Sequence, residues 1–110
     1  KNDAIVSDIE NYIATNELKD VTIESISKAL YYSPNYLNYI YKKVRGKSIF
    51  EYLREVKIDK AKELLEDPKY KLYEITELLG YSHTSYFVNV FKKYVGLTPS
   101  EYRMRRKKYV

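Results

Sequence analysis

The side chains between Tyr81 and Lys93 are the ones whose types and spacing suggest chemistry, and that chemistry is hydrogen bonding. On a helix at ~100° per residue with Phe87 innermost, Val90, Phe91 and Tyr94 fall on the inner face. Ser85, Val88, Asn89 and Lys92 fall on the outer one. Short polar side chains followed by lysines suit a DNA major groove, where base edges and thymine methyls lie between anionic phosphates. Nothing comparable supports bond making. The chain has one His and no Cys, so a thiolate zinc site and a disulfide framework are excluded. His83 has no second His or Cys to join it in holding a metal, and no carboxylate pair lies beside a nucleophile. No catalytic residue, metal or cofactor is expected, and an enzyme is the weakest reading.

The elements that must position these residues read as helical throughout, with no convincing strand. Among 110 residues there are only three Gly and three Pro, too few for many loops. Asp3 is placed to cap a first helix that buries Ile5, Ile9, Tyr12 and Ile13 and ends near Asn16. After the connector Leu18 to Val21, Thr22 caps a short helix with Ile23, Ile26 and Leu30 inward. Tyr31 and Tyr32 make a tight turn. Ser33-Pro34 reopens the helix as N-cap and first-turn proline. That third helix ends at Gly46, with Leu37, Ile40, Tyr41 and Val44 inward and Asn35, Asn38, Tyr39 and Lys42 outward. Ser48 and Glu51 form a capping box for the longest helix, stopped by Asp67-Pro68 and ~27 Å long. Its apolar residues are too many for one stripe, which predicts two packing partners. A helix carrying Ile75, Leu78 and Leu79 follows, then Gly80, the Tyr81–Lys93 helix, Gly96, and a last helix opened by Thr98-Pro99-Ser100-Glu101. The chain ends in Arg103, Arg105, Arg106, Lys107 and Lys108, predicted as a partly frayed basic tail.

This inventory contains a repeat. Ile26 to Ser33 matches Ile75 to Ser82 at an offset of 49, and Tyr36 to Ser48 matches Tyr86 to Thr98 at an offset of 50. Each copy is a short helix, a tight turn and a second helix with a polar outer face, which is helix-turn-helix grammar. The predicted fold is all-α, with two helix-turn-helix subdomains joined by a long linker helix, about seven helices in all. Its expected parts are an N-terminal helix and connector (1–20), the first subdomain (21–47), the linker helix (48–67), and the second subdomain with the basic tail (68–110). Same-face openings of the major groove recur every ~34 Å, and a ~27 Å helix with a module at each end can reach two of them.

Charge agrees with that reading without proving it. The net charge is +5, but residues 1–20 hold two basic and five acidic side chains, while the rest hold eighteen basic and ten acidic. A basic body suggests a polyanionic partner. The fourteen Tyr are expected mostly in the core with hydroxyls at the surface. No apolar run reaches the ~18 residues of a membrane helix and no secretory signal is visible, so a cytoplasmic location away from membranes is expected. The start at Lys1 without Met suggests a piece of a longer protein.

The segment from Val21 to Arg103, roughly three quarters of the chain, resembles the AraC/XylS-type DNA-binding domain. The most specific residues are Ile75-x-x-Leu78-Leu79-Gly80-Tyr81-Ser82, Tyr86-Phe87-x-x-x-Phe91-Lys92-Lys93 and Gly96-Leu97-Thr98-Pro99-Ser100-Glu101-Tyr102-Arg103. Ser33-Pro34-x-Tyr36-Leu37-x-x-x-Tyr41-Lys42-Lys43-x-x-Gly46 supports it in the first half. The resemblance implies a bacterial transcription regulator acting on double-stranded promoter DNA and on RNA polymerase. A separate regulatory domain would sense the signal, and the phrasing looks closest to domains that follow the receiver of two-component response regulators. It also implies that Tyr39 stands where many relatives carry Arg, which points to an A·T-leaning or weaker first half-site, and that Lys57 replaces another frequent Arg, which removes the bidentate contact an Arg could make there.

The residues expected to reach base edges are Asn35, Asn38 and Tyr39 in the first copy and Thr84, Ser85, Val88 and Asn89 in the second. Phosphates are expected at Lys42, Lys43, Lys92 and Lys93, one turn further on, with His83 at the helix start and backbone N–H groups near Ser48 and Thr98. Lys42 and Lys92 share the readers' phase and rank above Lys43 and Lys93. The competing reading is a helical repeat that binds protein. An apolar outward stripe would favour it, and the outward faces here are polar and basic.

Overall fold

The computed structural model describes residues 1–107, with side chains through Arg106. Seven α-helices follow one another: α1 (Asn2–Thr15), α2 (Ile23–Leu30), α3 (Pro34–Arg45), α4 (Ile49–Leu65), α5 (Leu72–Leu78), α6 (Thr84–Val95) and α7 (Pro99–Lys107). A 3-10 turn (Leu18–Asp20) links α1 to α2, and no strand occurs among the described residues. None of these helices is long and apolar enough to cross a membrane.

Local signals set most helix starts. The Thr22 hydroxyl accepts from Ser25 N–H while Ser25 Oγ accepts from Thr22 N–H, a reciprocal box at the head of α2. Ser33 Oγ accepts from Tyr36 N–H at the head of α3, where Pro34 takes the first turn. Helix α1 differs from expectation: it begins at Asn2, so Asp3 lies inside the first turn as an acidic residue near the dipole's positive end and is not the cap.

The chain divides into two units, with the boundary between Val56 and Lys57 inside α4. The long helix is therefore not a separate segment; each unit claims half of it. In the first unit Ile5, Val6, Ile9 and Ile13 of α1 pack into one cluster with Val21, Ile26, Leu37, Ile40, Tyr41, Ile49 and Leu53. Glu10 fastens α1 to α3. Its carboxylate accepts from the Tyr41 hydroxyl at 2.9 Å and from Arg45 Nε and Nη2 at 3.0 and 3.1 Å. The Arg45 guanidinium outweighs partial burial and holds the Glu10 carboxyl below its usual range. Tyr41 is pushed up, first by its own burial and then by that hydrogen bond, so it stays a neutral donor.

In the second unit Ile58, Ala61, Leu64, Leu65, Ile75, Leu79, Phe87, Phe91 and Pro99 are buried. Arg103 is the tie of this unit and not part of a loose tail. Its Nε donates to Leu65 O at 2.8 Å, and its Nη2 donates to Asp67 O at 3.2 Å and Tyr70 O at 2.7 Å. Arg106 pairs with Glu66 at 3.2 Å. The tail's remaining expectation at Lys108 lies outside the described residues.

One backbone position carries strain. Tyr31 ends α2 at φ 63°, the only positive φ outside glycine among the described residues. The matching place in the second copy is Gly80, at φ 84°. A left-handed conformation costs a side-chain-bearing residue roughly 1–2 kcal/mol, and at 91% exposure the Tyr31 ring recovers none of it by burial. Tyr31→Gly is expected to raise stability by about 1 kcal/mol in urea unfolding; a loss of stability would show that the ring is held by contacts that offset the strain.

Candidate nucleic-acid interface

Each unit presents one helix whose inner side is fixed by core residues and whose outer side is open. In α3, Leu37, Ile40 and Tyr41 are buried, and in α6 the buried residues are Phe87 and Phe91. Opposite them Asn35, Tyr39, Lys42 and Lys43 are exposed in α3, as are Ser85, Asn89, Lys92 and Lys93 at the matching places in α6. The two copies thus agree at these four positions on what they show to solvent. Lys43 lies over the Tyr39 ring, with its ammonium 5.8 Å from the ring centre, so these two form one amphipathic contact point.

Four of the expected base readers keep that placement, and three do not. Thr84 and Val88 are half-buried and contribute less to the open face. Asn38 is half-buried and its Oδ1 accepts from the backbone N–H of Ile49 at 3.1 Å. A bidentate contact to adenine needs that oxygen free, so Asn38 is assigned to the structure. The internal repeat gives the reason. The residue matching Ile49 is Pro99, which has no N–H, and the residue matching Asn38 is Val88. Where the donor exists an acceptor faces it; where proline removes the donor, the acceptor is replaced by an apolar side chain. Asn38→Val is expected to cost about 1–3 kcal/mol in urea unfolding, by leaving the Ile49 N–H unsatisfied next to a fully packed residue. No destabilisation would mean that water reaches this donor.

The phosphate assignments also divide. Lys42, Lys43, Lys92 and Lys93 are exposed. His83 is the N-cap residue of α6, exposed and without a side-chain capping bond, in a place where Ser33 caps α3. The helix starts at Ser48 and Thr98 are already filled. Ser48 N–H donates to Glu51 Oε1 at 2.9 Å, and Thr98 N–H donates to Glu101 Oε1 at 2.8 Å. These bonds, backbone N–H first, hold both carboxyls below their usual range. A phosphate there would meet a carboxylate in its own place, so those two N–H groups are withdrawn as phosphate donors.

Two side chains outside the expected set shape the second helix-turn-helix. Lys57 places its ammonium 4.8 Å from the centre of the Tyr81 ring, and burial pushes its pKa down. Tyr81 in turn lies 5.4 Å from Phe87 and 5.9 Å from Tyr86, ring centre to ring centre. Tyr94, expected on the inner face, is instead open in the last turn of α6 at 48% exposure, and Leu78, the last residue of α5, is open at 40%.

Comparison with known proteins identifies the arrangement. A family model described as a helix-turn-helix domain matches residues 26–105. Over 103 residues the chain is 33% identical to the HTH-type transcriptional regulator YijO of Escherichia coli, covering 94% of this chain and 36% of that regulator. The chain therefore spans about a third of that curated relative's length. The C-terminal domain of the two-component response regulator yesN from Fusobacterium nucleatum superposes with a TM-score of 0.79 at 36% identity, covering 86% of this chain and 93% of that one. The C-terminal domain of AraT, a response regulator from Geobacillus stearothermophilus, gives 0.84 at 35% identity over 92% and 84%. With two helix-turn-helix copies, a helix shared between them and a family match over most of its length, the chain belongs to the AraC-type helix-turn-helix family of transcription regulators.

Proposed function

We propose that the chain recognises a specific double-stranded promoter sequence by inserting α3 and α6 into successive segments of the major groove. The observation that carries this reading is the matched exposure of the two outer faces: Asn35, Tyr39, Lys42 and Lys43 repeat as Ser85, Asn89, Lys92 and Lys93, all open to solvent. Amide and hydroxyl groups read base edges, the Tyr39 ring packs on a thymine methyl or reaches a phosphate, and the lysines and His83 take phosphates. In the full-length protein this domain would answer to a regulatory domain, of receiver type given the likeness to response-regulator C-terminal domains, and would act on RNA polymerase.

Asn89→Ala is expected to cost about 1–3 kcal/mol on the cognate duplex and to relax preference at one or two base pairs. Lys92→Ala is expected to weaken all sequences alike and to lower the slope of log affinity against log salt by about one. Titration of both variants on cognate and scrambled duplexes separates the roles, and an Asn89→Ala chain that binds the cognate duplex like the parent removes α6 as the reader.

A further inference from the structure

We propose that Tyr36 and Tyr86 hold DNA phosphates through their hydroxyls, one on each recognition helix, each aimed by a tyrosine ring from the preceding turn. The inference rests on the DNA-binding reading above and adds a pair of contacts to it.

The two residues occupy the same place, third in α3 and third in α6. Each is half-exposed, at 37% and 56%, in a helix whose buried face is already filled by Leu37 and Tyr41 or by Phe87 and Phe91. Each ring packs on another tyrosine: Tyr32 lies 5.2 Å from Tyr36, and Tyr81 lies 5.9 Å from Tyr86. The spacing within these pairs differs, four residues in the first copy and five in the second. The one-residue insertion in the second turn has not broken the contact, so the contact itself and not the local sequence is common to both copies. Its anchoring also differs. In the first copy the Ser27 hydroxyl donates to the carbonyl of Tyr32; in the second, Tyr81 rests between buried Phe87 and the Lys57 ammonium.

The rings alone do not require tyrosine, since a leucine would cover the same turn. What tyrosine adds is a hydroxyl at the rim, and no hydrogen bond within the described residues engages it in Tyr36 or Tyr86. Both lie on one flank of their helix. Lys43 and Lys93 come seven residues later and return to within ~20° of the same direction, about 10 Å further along the axis. Asn38 and Val88 occupy the opposite flank. A recognition helix lying in a groove has a phosphate wall on each side, and this flank offers a hydroxyl followed by an ammonium in both copies. The first turn also points the positive end of the helix dipole towards an anion. Because the ring pair fixes the side chain before binding, little rotamer freedom remains to be lost.

The test is Tyr36→Phe and Tyr86→Phe, which keep both ring pairs and remove only the oxygens. Binding is measured on a duplex recovered by selection, on a scrambled duplex, and on the selected duplex carrying single methylphosphonates. Each variant is expected to bind about three- to tenfold more weakly on both unmodified duplexes, with base preference, salt slope and melting temperature unchanged. One methylphosphonate position per helix should weaken the parent chain and leave the matching variant no weaker. Affinities within about twofold of the parent, or a changed base preference without loss on the scrambled duplex, would overturn the proposal. A parent chain that binds neither duplex would overturn the DNA reading first and this inference with it.

Discussion

Deleting residues 1–16 is expected to unfold the first unit, even though the matched family model begins only at residue 26. Helix α1 contributes Ile5, Val6, Ile9 and Ile13, each no more than 5% exposed, to the cluster that contains Leu37 and Tyr41. At roughly 1.5–3 kcal/mol for each fully buried aliphatic side chain, the loss is of order 6–12 kcal/mol as an upper estimate. The whole stability of a domain is about 5–15 kcal/mol. The deletion also removes Glu10, which leaves the buried Tyr41 hydroxyl without its acceptor. The stretch matched by the family model, 26–105, therefore leaves out a helix that packs into the first unit's core. Amide exchange of the truncated chain should show residues 18–56 losing protection. Native-like protection there, with an unchanged melting temperature, would mean that α1 is an appendage.

The second large effect is expected at Arg103. Arg103→Ala takes the guanidinium away from the backbone carbonyls of Leu65, Asp67 and Tyr70, of which that of Asp67 still accepts from the Tyr70 N–H at 3.2 Å. Hydrogen bonds from a charged donor are worth about 1.5–3 kcal/mol each. Allowing for water reaching part of this half-buried site, the net cost is about 3–5 kcal/mol, seen as a lower urea midpoint. Arg103→Lys should recover less than half of it, because a single ammonium cannot span acceptors that the planar fork reaches together. The same variants separate a structural arginine from a phosphate-binding one. With folding compensated by low temperature, the salt slope of DNA binding should not change. A stability loss below about 1 kcal/mol would place Arg103 among ordinary surface charges.

The contrast between these residues and the correctly expected ones shows what a sequence can carry. Thr22, Ser33-Pro34, Ser48 with Glu51 and Thr98 with Glu101 set helix starts through bonds spanning three residues, so the pattern is local and readable. The buried faces of α3 and α6 follow from helical periodicity for the same reason. Periodicity gives the direction of a side chain from the helix axis but not where the packing partner stops. Tyr94 points inward by phase and remains open because it stands in the last turn of its helix. Asn38 and Arg103 answer to backbone atoms eleven and more than thirty residues away, and no local pattern announces such bonds. For Asn38 a signal was nonetheless present. Setting the two copies side by side pairs Asn38 with Ile49 and Val88 with Pro99, an exchange that follows the presence or absence of one N–H group.

The central claim is that one chain carries two readers that engage DNA together. Selection of binding sites from random duplexes by the intact chain, followed by titration of the recovered site over a range of salt, tests it most directly. The predicted result is two short preferred boxes about one helical turn apart, with Asn89→Ala relaxing one box only and affinity falling steeply as salt rises. A single box, or binding without sequence preference, would contradict double engagement.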